Sequence, residues 1–356
     1  MAKYQEIKDW LKESLNEGFY SKDDKIPSEN ELVNLFKVSR HTVRKAISDM
    51  INEGLLYTKK GSGIYYTGSV EKKRREVAFV THTPDHFILP EILKGIYEEL
   101  YKNNTDLLVY YSSYNVEQEK NILTTLFQKK IDGIIINPVT SSIKEHNINA
   151  LKELKLNKTP IILIDNLPVK IDFSIICPDE LTGGTIAAKF IYELGHRNIG
   201  IIYGFNQFCM LERAKGAISY FESHGLKENK QLNTLKIDMH SLESQKEKIK
   251  AFINNIKKPF AVFCTTDELC LLTANIILSE GLKIPEEISI LGYGNSKVLD
   301  YSKINLTSIN FPKETVGKIA AQYILNEIEF NQTSLIQKNI IRPSIVDRGS
   351  VKNLIN

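Results

Sequence analysis

From Val77 to about residue 350, short apolar runs rich in β-branched residues alternate with longer amphipathic stretches. Alternation of this kind predicts parallel sheets covered by helices. Strands are expected at Val77–Thr81, Leu107–Tyr111, Gly133–Asn137, Ile161–Ile164, Asn198–Tyr203, Ala261–Thr265 and Ile288–Tyr293. Helices are expected over Leu89–Lys102, Val116–Lys129, Glu180–Leu194, Arg213–Ser223, Leu242–Asn255 and Glu268–Glu280.

In such sheets ligands bind beyond the carboxyl ends of the strands. The residues there are Thr81-His82-Thr83-Pro84-Asp85, Asn137-Pro138, Asp165-Asn166, Thr265-Thr266-Asp267 and Gly294-Asn295, with Phe87 and Arg213 near by in sequence. Carboxylates, amides and hydroxyls together suit a polyhydroxylated ligand, and an aromatic ring can cover the apolar face of a sugar. Any one of these residues alone reads equally well as a turn former or loop cap. Five strand ends of the same character argue for a site.

The first 68 residues follow a different pattern. Ile7, Trp10, Leu11 and Leu15 lie at helical spacing, and Gly18 ends that helix. Ser28 with Glu31 three residues on forms a capping box for a second helix, whose buried side is expected from Leu32, Leu35 and Phe36. Ser39 caps a third helix carrying Val43, Ala46, Ile47, Met50 and Ile51 as an apolar stripe. That stripe turns Arg40, His41, Arg44, Lys45 and Ser48 outward, where an Arg can reach a guanine in the major groove. Two strand-like runs, Leu55–Thr58 and Ile64–Thr67, flank Lys59-Lys60-Gly61-Ser62-Gly63 and read as a hairpin wing. The competing reading of Arg40 and Arg44 is a solvated basic face; the helix spacing and the wing together favour a winged helix-turn-helix.

Charge supports that division. Residues 1–75 hold 15 Lys and Arg against 11 Asp and Glu, a net +4, whereas the rest hold 31 against 32, a net −1. A polyanion contact therefore belongs to the N-terminal part. Gly68-Ser69-Val70-Glu71-Lys72-Lys73-Arg74-Arg75-Glu76 lacks apolar periodicity and reads as a basic linker over 69–76, either a plain tether or a segment held near phosphates.

At 356 residues the chain is expected to form two or three domains. No apolar run reaches the roughly 18–20 residues of a membrane span, and the N-terminus lacks a secretory h-region, so no membrane partner is expected. Cys177, Cys209, Cys264 and Cys270 are scattered without CxxC spacing, which suits a reduced, cytoplasmic setting. Neither GxGxxG nor GxxxxGK[ST] is present, nor HExxH or GxSxG, and the histidines and cysteines show no metal-ligand spacing. Gly183-Gly184 is expected to serve close packing at a helix start, and His196 to cap a helix. No enzyme activity, cofactor or metal is expected.

The stretch Ile26-Pro27-Ser28-Glu29-Asn30-Glu31-Leu32, the helix start Ser39-Arg40-His41-Thr42-Val43-Arg44-Lys45-Ala46 and the wing around Gly61-Ser62-Gly63 resemble the GntR family of bacterial regulators over residues 1–68. The resemblance implies DNA contacts from Glu29, Arg40, Thr42 and Arg44. To these are added Lys3 and Tyr4, His41 and Lys45, and Lys60, Gly61 and Gly63 at the wing tip.

Asp179-Glu180-Leu181-Thr182-Gly183-Gly184, Leu194-Gly195-His196-Arg197, Glu212-Arg213-Ala214-Lys215-Gly216, Leu282–Tyr293 and Leu306–Pro312 resemble the effector domain of the lactose/galactose repressor family, itself similar to periplasmic sugar-binding proteins. Over 77–350 this implies a two-lobed α/β domain with parallel sheets. Lobe 1 would span about 77–176 and 308–338, and lobe 2 about 177–307 and 339–350. Crossovers would lie near Ile176, Thr307 and Lys338. It implies ligand contacts from Asn137, Asp165, Arg213 and Thr266, with Asp267 beside it, and homodimerisation. Asp85, Phe87 and Asn295 complete the expected ligand set. Gly294 stands where that family usually has an Asp, so Asn295, a water or another residue must take its role, or the ligand differs.

The pairing of these two parts resembles the arabinose-responsive regulators of low-GC Gram-positive bacteria. The resemblance implies operator double-stranded DNA as a partner and L-arabinose as inducer of a repressor. Other readings are the same architecture responding to another sugar or a purine, including as corepressor; a DNA reader fused to an enzyme; and a solute-binding protein with a vestigial N-terminus.

Overall fold

The computed structural model describes residues 3–68, 74–82, 84, 87–139, 147–164, 172–205, 207–330 and 336–355. Its contacts divide the chain into two units between Arg74 and Arg75.

The N-terminal unit holds α1 (Lys3–Asn16), α2 (Glu29–Phe36), α3 (Arg40–Asn52), β1 (Leu56–Lys59) and β2 (Gly63–Tyr66). Ile7, Leu11, Leu32, Val43, Ala46 and Met50 are fully buried and pack as one core. Their spacing within each helix puts one face inward, so local periodicity and tertiary packing agree. Leu35 departs from expectation. It is 58% exposed, whereas Phe36 packs edge-on against Trp10 with ring centroids 5.5 Å apart. In an eight-residue helix only the narrow stripe through Leu32, Val33 and Phe36 reaches the core.

The capping box is present: Ser28 N–H donates to Glu31 Oε2 at 2.7 Å, and Glu31 N–H donates to Ser28 Oγ at 3.3 Å. Lys37 adopts a left-handed φ of 51° and turns the chain sharply between α2 and α3. Lys8 and Lys12 both reach Glu53, tying α1 to the end of α3.

The second unit comprises β3 (Arg75–Thr81), α4 (Leu89–Lys102), β4 (Thr105–Tyr111), α5 (Val116–Lys129), β5 (Gly133–Ile136), α6 (Ile148–Leu156), β6 (Ile161–Ile164), β7 (Ser174–Pro178), α7 (Glu180–Glu193), β8 (Ile199–Gly204), α8 (Phe208–Ser223), β9 (Leu232–Ile237), α9 (Lys246–Asn255), β10 (Phe260–Cys264), α10 (Asp267–Ser279), β11 (Ile288–Tyr293), β12 (Thr307–Asn310), α11 (Lys313–Phe330), β13 (Lys338–Ile341) and β14 (Ser344–Val346).

Two six-stranded sheets form, in the orders β13-β7-β6-β5-β3-β4 and β14-β12-β11-β10-β8-β9. Every pair is parallel except β12 with β14. Central strands such as β5 and β10 are buried along their whole length, as strands covered by helices on both faces must be.

The chain passes between the sheets after Pro178, after Asn310 and between Ile341 and Ser344. These crossings lie a few residues beyond the expected positions, because β7, β12 and β13 each continue past them.

Each lobe contains a helix pair in backbone contact. A Cβ on Gly184 would strike the carbonyl oxygen of Arg213, and one on Gly216 that of Leu181, so α7 and α8 touch where neither carries a side chain. The same holds for α4 and α11 at Gly95 and Gly317. Gly183-Gly184 thus serves close packing. His196 joins the cap of α7 through its backbone N–H, which donates to the Ile191 carbonyl at 3.4 Å after Gly195 at φ +90°, while its Nε2 donates to the carbonyl oxygen of Lys352 at 2.9 Å and anchors the C-terminal segment.

Among the described residues no helix is long and apolar enough to cross a membrane, and no group of three His, Cys, Asp or Glu is arranged to hold a metal. No disulfide joins any of the four cysteines.

Candidate functional site

The exposed face of α3 carries Arg40, His41, Arg44 and Lys45. Ser39 prepares its first turn, accepting from Thr42 N–H at 3.2 Å while the two hydroxyls lie 2.9 Å apart. Arg44 Nε donates to Glu29 Oε2 at 2.9 Å, so two expected DNA contacts meet each other across the turn. Lys45 Nζ lies 4.3 Å from the centre of the Tyr4 ring, which brings α1 to the same face. Lys3 is exposed at the start of α1.

In the wing, Lys59 pairs with Gly63 across the hairpin, leaving Lys60 and Gly61 exposed at the tip. Gly61 has φ +75° and Gly63 φ +136°, conformations that glycine adopts without strain. Lys25 bridges to Tyr65 and adds a third edge to the wing.

The second unit encloses a cavity of about 80 Å3 between its lobes, at the carboxyl ends of the strands. At roughly 10–15 Å3 per water position it holds about five to eight water-sized groups. Lobe 1 supplies Thr81, His82 and Asn137 as polar lining, and lobe 2 supplies Glu180, Arg213, Thr266, Glu268 and Ser296. Apolar walls come from Phe79, Ile92, Ile164, Met210, Tyr293 and Phe311. Both strand orders reverse at the strands that deliver Thr81 and Thr266, which is where doubly wound sheets open a crevice.

Arg213 is the most constrained group here. Its Nε and Nη2 donate to the two oxygens of Glu180, both at 2.7 Å, and Nη1 donates to the Thr265 carbonyl at 2.8 Å. The Tyr293 ring covers the guanidinium face at 3.9 Å. Those bonds use three of five N–H groups, leaving one on each terminal nitrogen. Burial pushes the Tyr293 hydroxyl well above its ordinary value, and the Glu180 carboxylate beside it acts in the same direction.

Asn137 Oδ1 is buried and accepts no hydrogen bond within the protein. An orphaned polar atom is costly and rare, and in the wall of a cavity it suits a ligand that supplies a hydroxyl.

Across the cleft mouth, Tyr114 stacks on His82 with ring centroids 4.7 Å apart. Burial pushes the Tyr114 hydroxyl up to about 12. Gln207 of the other lobe hydrogen-bonds it and acts the opposite way. Sequence reading left out Tyr114, Glu180, Gln207, Glu268, Tyr293 and Ser296 as site residues. Glu180 stands in a noted motif, yet nothing local marks it as the partner of a residue 33 positions away.

Of the expected ligand residues, Asn137, Arg213 and Thr266 line the cavity. Three others do not. Asp267 is buried with both oxygens engaged, Oδ1 by Ser308 Oγ and Oδ2 by Ser296 N–H, each at 2.6 Å. Asn295 turns away: its Oδ1 accepts from Arg348 Nη2 at 2.5 Å, and its Nδ2 donates to Asn310 Oδ1 at 3.3 Å. Phe87 is 38% exposed and forms no part of the lining. Asp85 and Asp165 lie outside the described residues.

A winged helix-turn-helix joined to a two-lobed cleft of this kind defines a ligand-responsive bacterial regulator. Residues 3–65 match the bacterial regulatory proteins of the gntR family, and residues 188–351 match the periplasmic binding protein-like domain. The arabinose metabolism transcriptional repressor of Halalkalibacterium halodurans is 30% identical over 361 residues, covering 98% of this chain and 96% of that protein. The HTH-type transcriptional repressor PurR of Aliivibrio fischeri is 29% identical over 271 residues, covering 74% of this chain and 77% of that protein. A LacI family transcriptional regulator from Enterococcus faecium, solved with bound ribose, superposes with a TM-score of 0.68 at 24% identity, over 79% of this chain and all of that one. The chain belongs to the family of the arabinose metabolism transcriptional repressors.

Proposed function

We propose that this chain is a sequence-specific transcriptional repressor of arabinose metabolism genes, released from DNA when L-arabinose fills the cavity between the lobes. Two copies would bind the halves of a pseudo-palindromic operator. Each would place Arg40, Thr42 and Arg44 in the major groove, with Lys3, Tyr4, His41, Lys45 and the wing tip near the backbone. The observation that carries the ligand reading is the orphaned Asn137 Oδ1 in one cavity with the spare N–H groups of Arg213. A pentose offers several hydroxyls that donate and accept at once, and its ten heavy atoms are on the scale of about five to eight water positions.

Ligand occupancy acts on DNA only through its differential affinity for the open and closed lobes. Coupling of about 1–3 kcal/mol, or roughly 5–150-fold in operator affinity, is the usual size of such effects. The segment of residues 69–74 that leads into β3 would transmit it.

The similarity to PurR over the second unit supports an alternative in which a purine, or another sugar, is the effector, including as corepressor. The test begins with duplexes selected by the protein from a random library. Anisotropy titrations then follow with L-arabinose, other pentoses, hexoses and purines. L-arabinose should weaken DNA binding about 5–150-fold. Release by a purine or a different sugar, or tightening instead of release, would replace this reading with the alternative.

A further inference from the structure

Among the described residues, the charged groups lining the cavity are Arg213, Glu180 and Glu268, besides His82. Glu180 holds Arg213 through two parallel hydrogen bonds of 2.7 Å, so the one cation there is already neutralised. Glu268 has no cationic partner among the described residues. Lys313 lies close but is not part of the lining. Its buried Nζ is turned to four oxygens: Gly294 O at 2.7 Å, Asn295 O at 3.3 Å, Asn310 Oδ1 at 3.3 Å and Phe311 O at 3.4 Å. Leaving His82 aside, the carboxylates among the described lining residues outnumber the cations by one.

We propose that Glu180 is a specificity-determining residue: by occupying Arg213, and together with Glu268, it restricts the cleft to uncharged polyhydroxylated ligands and rejects their carboxylated and phosphorylated forms. The inference rests on the reading of the cavity as a sugar site. An anionic sugar would lose its hydration, meet two carboxylates and find no free cation among the described lining residues. An uncharged sugar needs only the hydrogen-bonding edges left over, namely the two spare N–H groups of Arg213 and Asn137 Oδ1. Like-charge opposition in a desolvated site is a strong means of exclusion. Arg213 itself remains able to bind an anion once Glu180 is removed, so the selectivity resides in Glu180.

The test is calorimetry and thermal shift on the full chain with matched pairs: L-arabinose and D-galacturonate, which adds a carboxylate to C5 of the same pyranose configuration, D-galactose and D-galacturonate, D-ribose and D-ribose 5-phosphate, inosine and inosine 5′-monophosphate. The wild type should prefer the neutral member of the pair it binds by about a hundredfold or more. In Glu180→Gln that preference should shrink about tenfold, and the anion should raise the melting temperature of the variant. Should Glu180→Gln fail to fold, Glu268→Gln carries the test, and its preference should shrink in the same direction.

A wild type that binds an anionic member as tightly as its neutral counterpart would overturn the proposal. So would an unchanged preference in Glu180→Gln, or in Glu268→Gln where Glu180→Gln does not fold. Binding of a neutral ligand other than L-arabinose, with its anion rejected, would defeat the arabinose reading and leave the charge rule standing.

Discussion

Ser308 donates a 2.6 Å hydrogen bond to one oxygen of Asp267, and the backbone N–H of Ser296 donates to the other at the same distance. A strand-end carboxylate that looks like a ligand contact in sequence is thus a clamp between α10, β12 and the turn after β11. Asn at this position presents an NH2 to one of two donors and leaves that donor unsatisfied. Asp267→Asn should therefore lower unfolding free energy by about 1–3 kcal/mol, read by urea titration of the unliganded chain. An unchanged midpoint would return Asp267 to the list of groups free to meet a ligand.

Asn137 gives the opposite expectation. Its buried Oδ1 has no partner within the protein, so removing it costs the empty protein little. Asn137→Ala should change stability by less than about 1 kcal/mol yet weaken sugar binding by about 1–3 kcal/mol. Calorimetry beside thermal unfolding separates the two. Loss of stability without loss of binding would remove Asn137 from the site.

Gly294 stands at φ +124°, and a Cβ there would lie 3.1 Å from Asp267 Oδ2. Restoring the carboxylate common at this position meets strain and like charge together. Gly294→Asp should destabilise the protein by about 1–3 kcal/mol and should not tighten sugar binding. A gain in calorimetric affinity would contradict this geometry.

On the DNA face the Arg44–Glu29 pair is largely exposed, and such pairs contribute about 0–1 kcal/mol. Glu29→Gln should leave the melting temperature nearly unchanged. Arg40→Ala should weaken operator binding by about 1–3 kcal/mol while sugar affinity stays the same. Loss of both activities in Arg40→Ala would break the division of labour between the two units.

Acidity should stabilise the second unit over a limited range. Burial pushes the Glu119, Asp267 and Glu327 carboxyls above their ordinary values. At these groups the folded chain binds protons more tightly than the unfolded chain. Their contribution is therefore fully present below the ordinary carboxylate value and is lost as pH rises through the raised one. Hydrogen bonds from Lys318 and Lys94 hold Glu314 down at about 2, so its contribution is lost only at more acid pH. The urea midpoint should rise from about pH 7 to about pH 5, and less so in Glu119→Gln. An identical slope in that variant would exclude Glu119.

The N-terminal unit was legible because its signals are local: Ser28 and Glu31 form a box within one turn, and the stripe on α3 repeats at helical spacing. Leu35 misleads because periodicity says which face is apolar, not how wide a face the neighbours cover. In the second unit β3, β5, β6, β8, β10 and β11 are apolar runs and stand out. Edge strands β13 and β14 do not, since Lys338-Asn339-Ile340-Ile341 is partly solvated and carries polar residues. Helices α6 and α11 and strands β7, β9 and β12 are also absent from the expectation. The buried face of α11 is made of small residues such as Gly317, Ala320 and Ala321, chosen for close approach to α4 rather than for hydrophobic contrast.

By itself the sequence determined the kinds of element, the order of the two units and the strand ends from which a ligand site is built. These follow from patterns a few residues long, where backbone geometry and side-chain polarity repeat together. Only the tertiary structure decided which strand-end groups face the cavity. It turned Asp267 and Asn295 inward to the scaffold, left the side-chain oxygen of Asn137 unpartnered, and brought Glu180 onto Arg213. Those choices depend on which donors meet which acceptors between residues tens of positions apart, and no local periodicity encodes such a meeting.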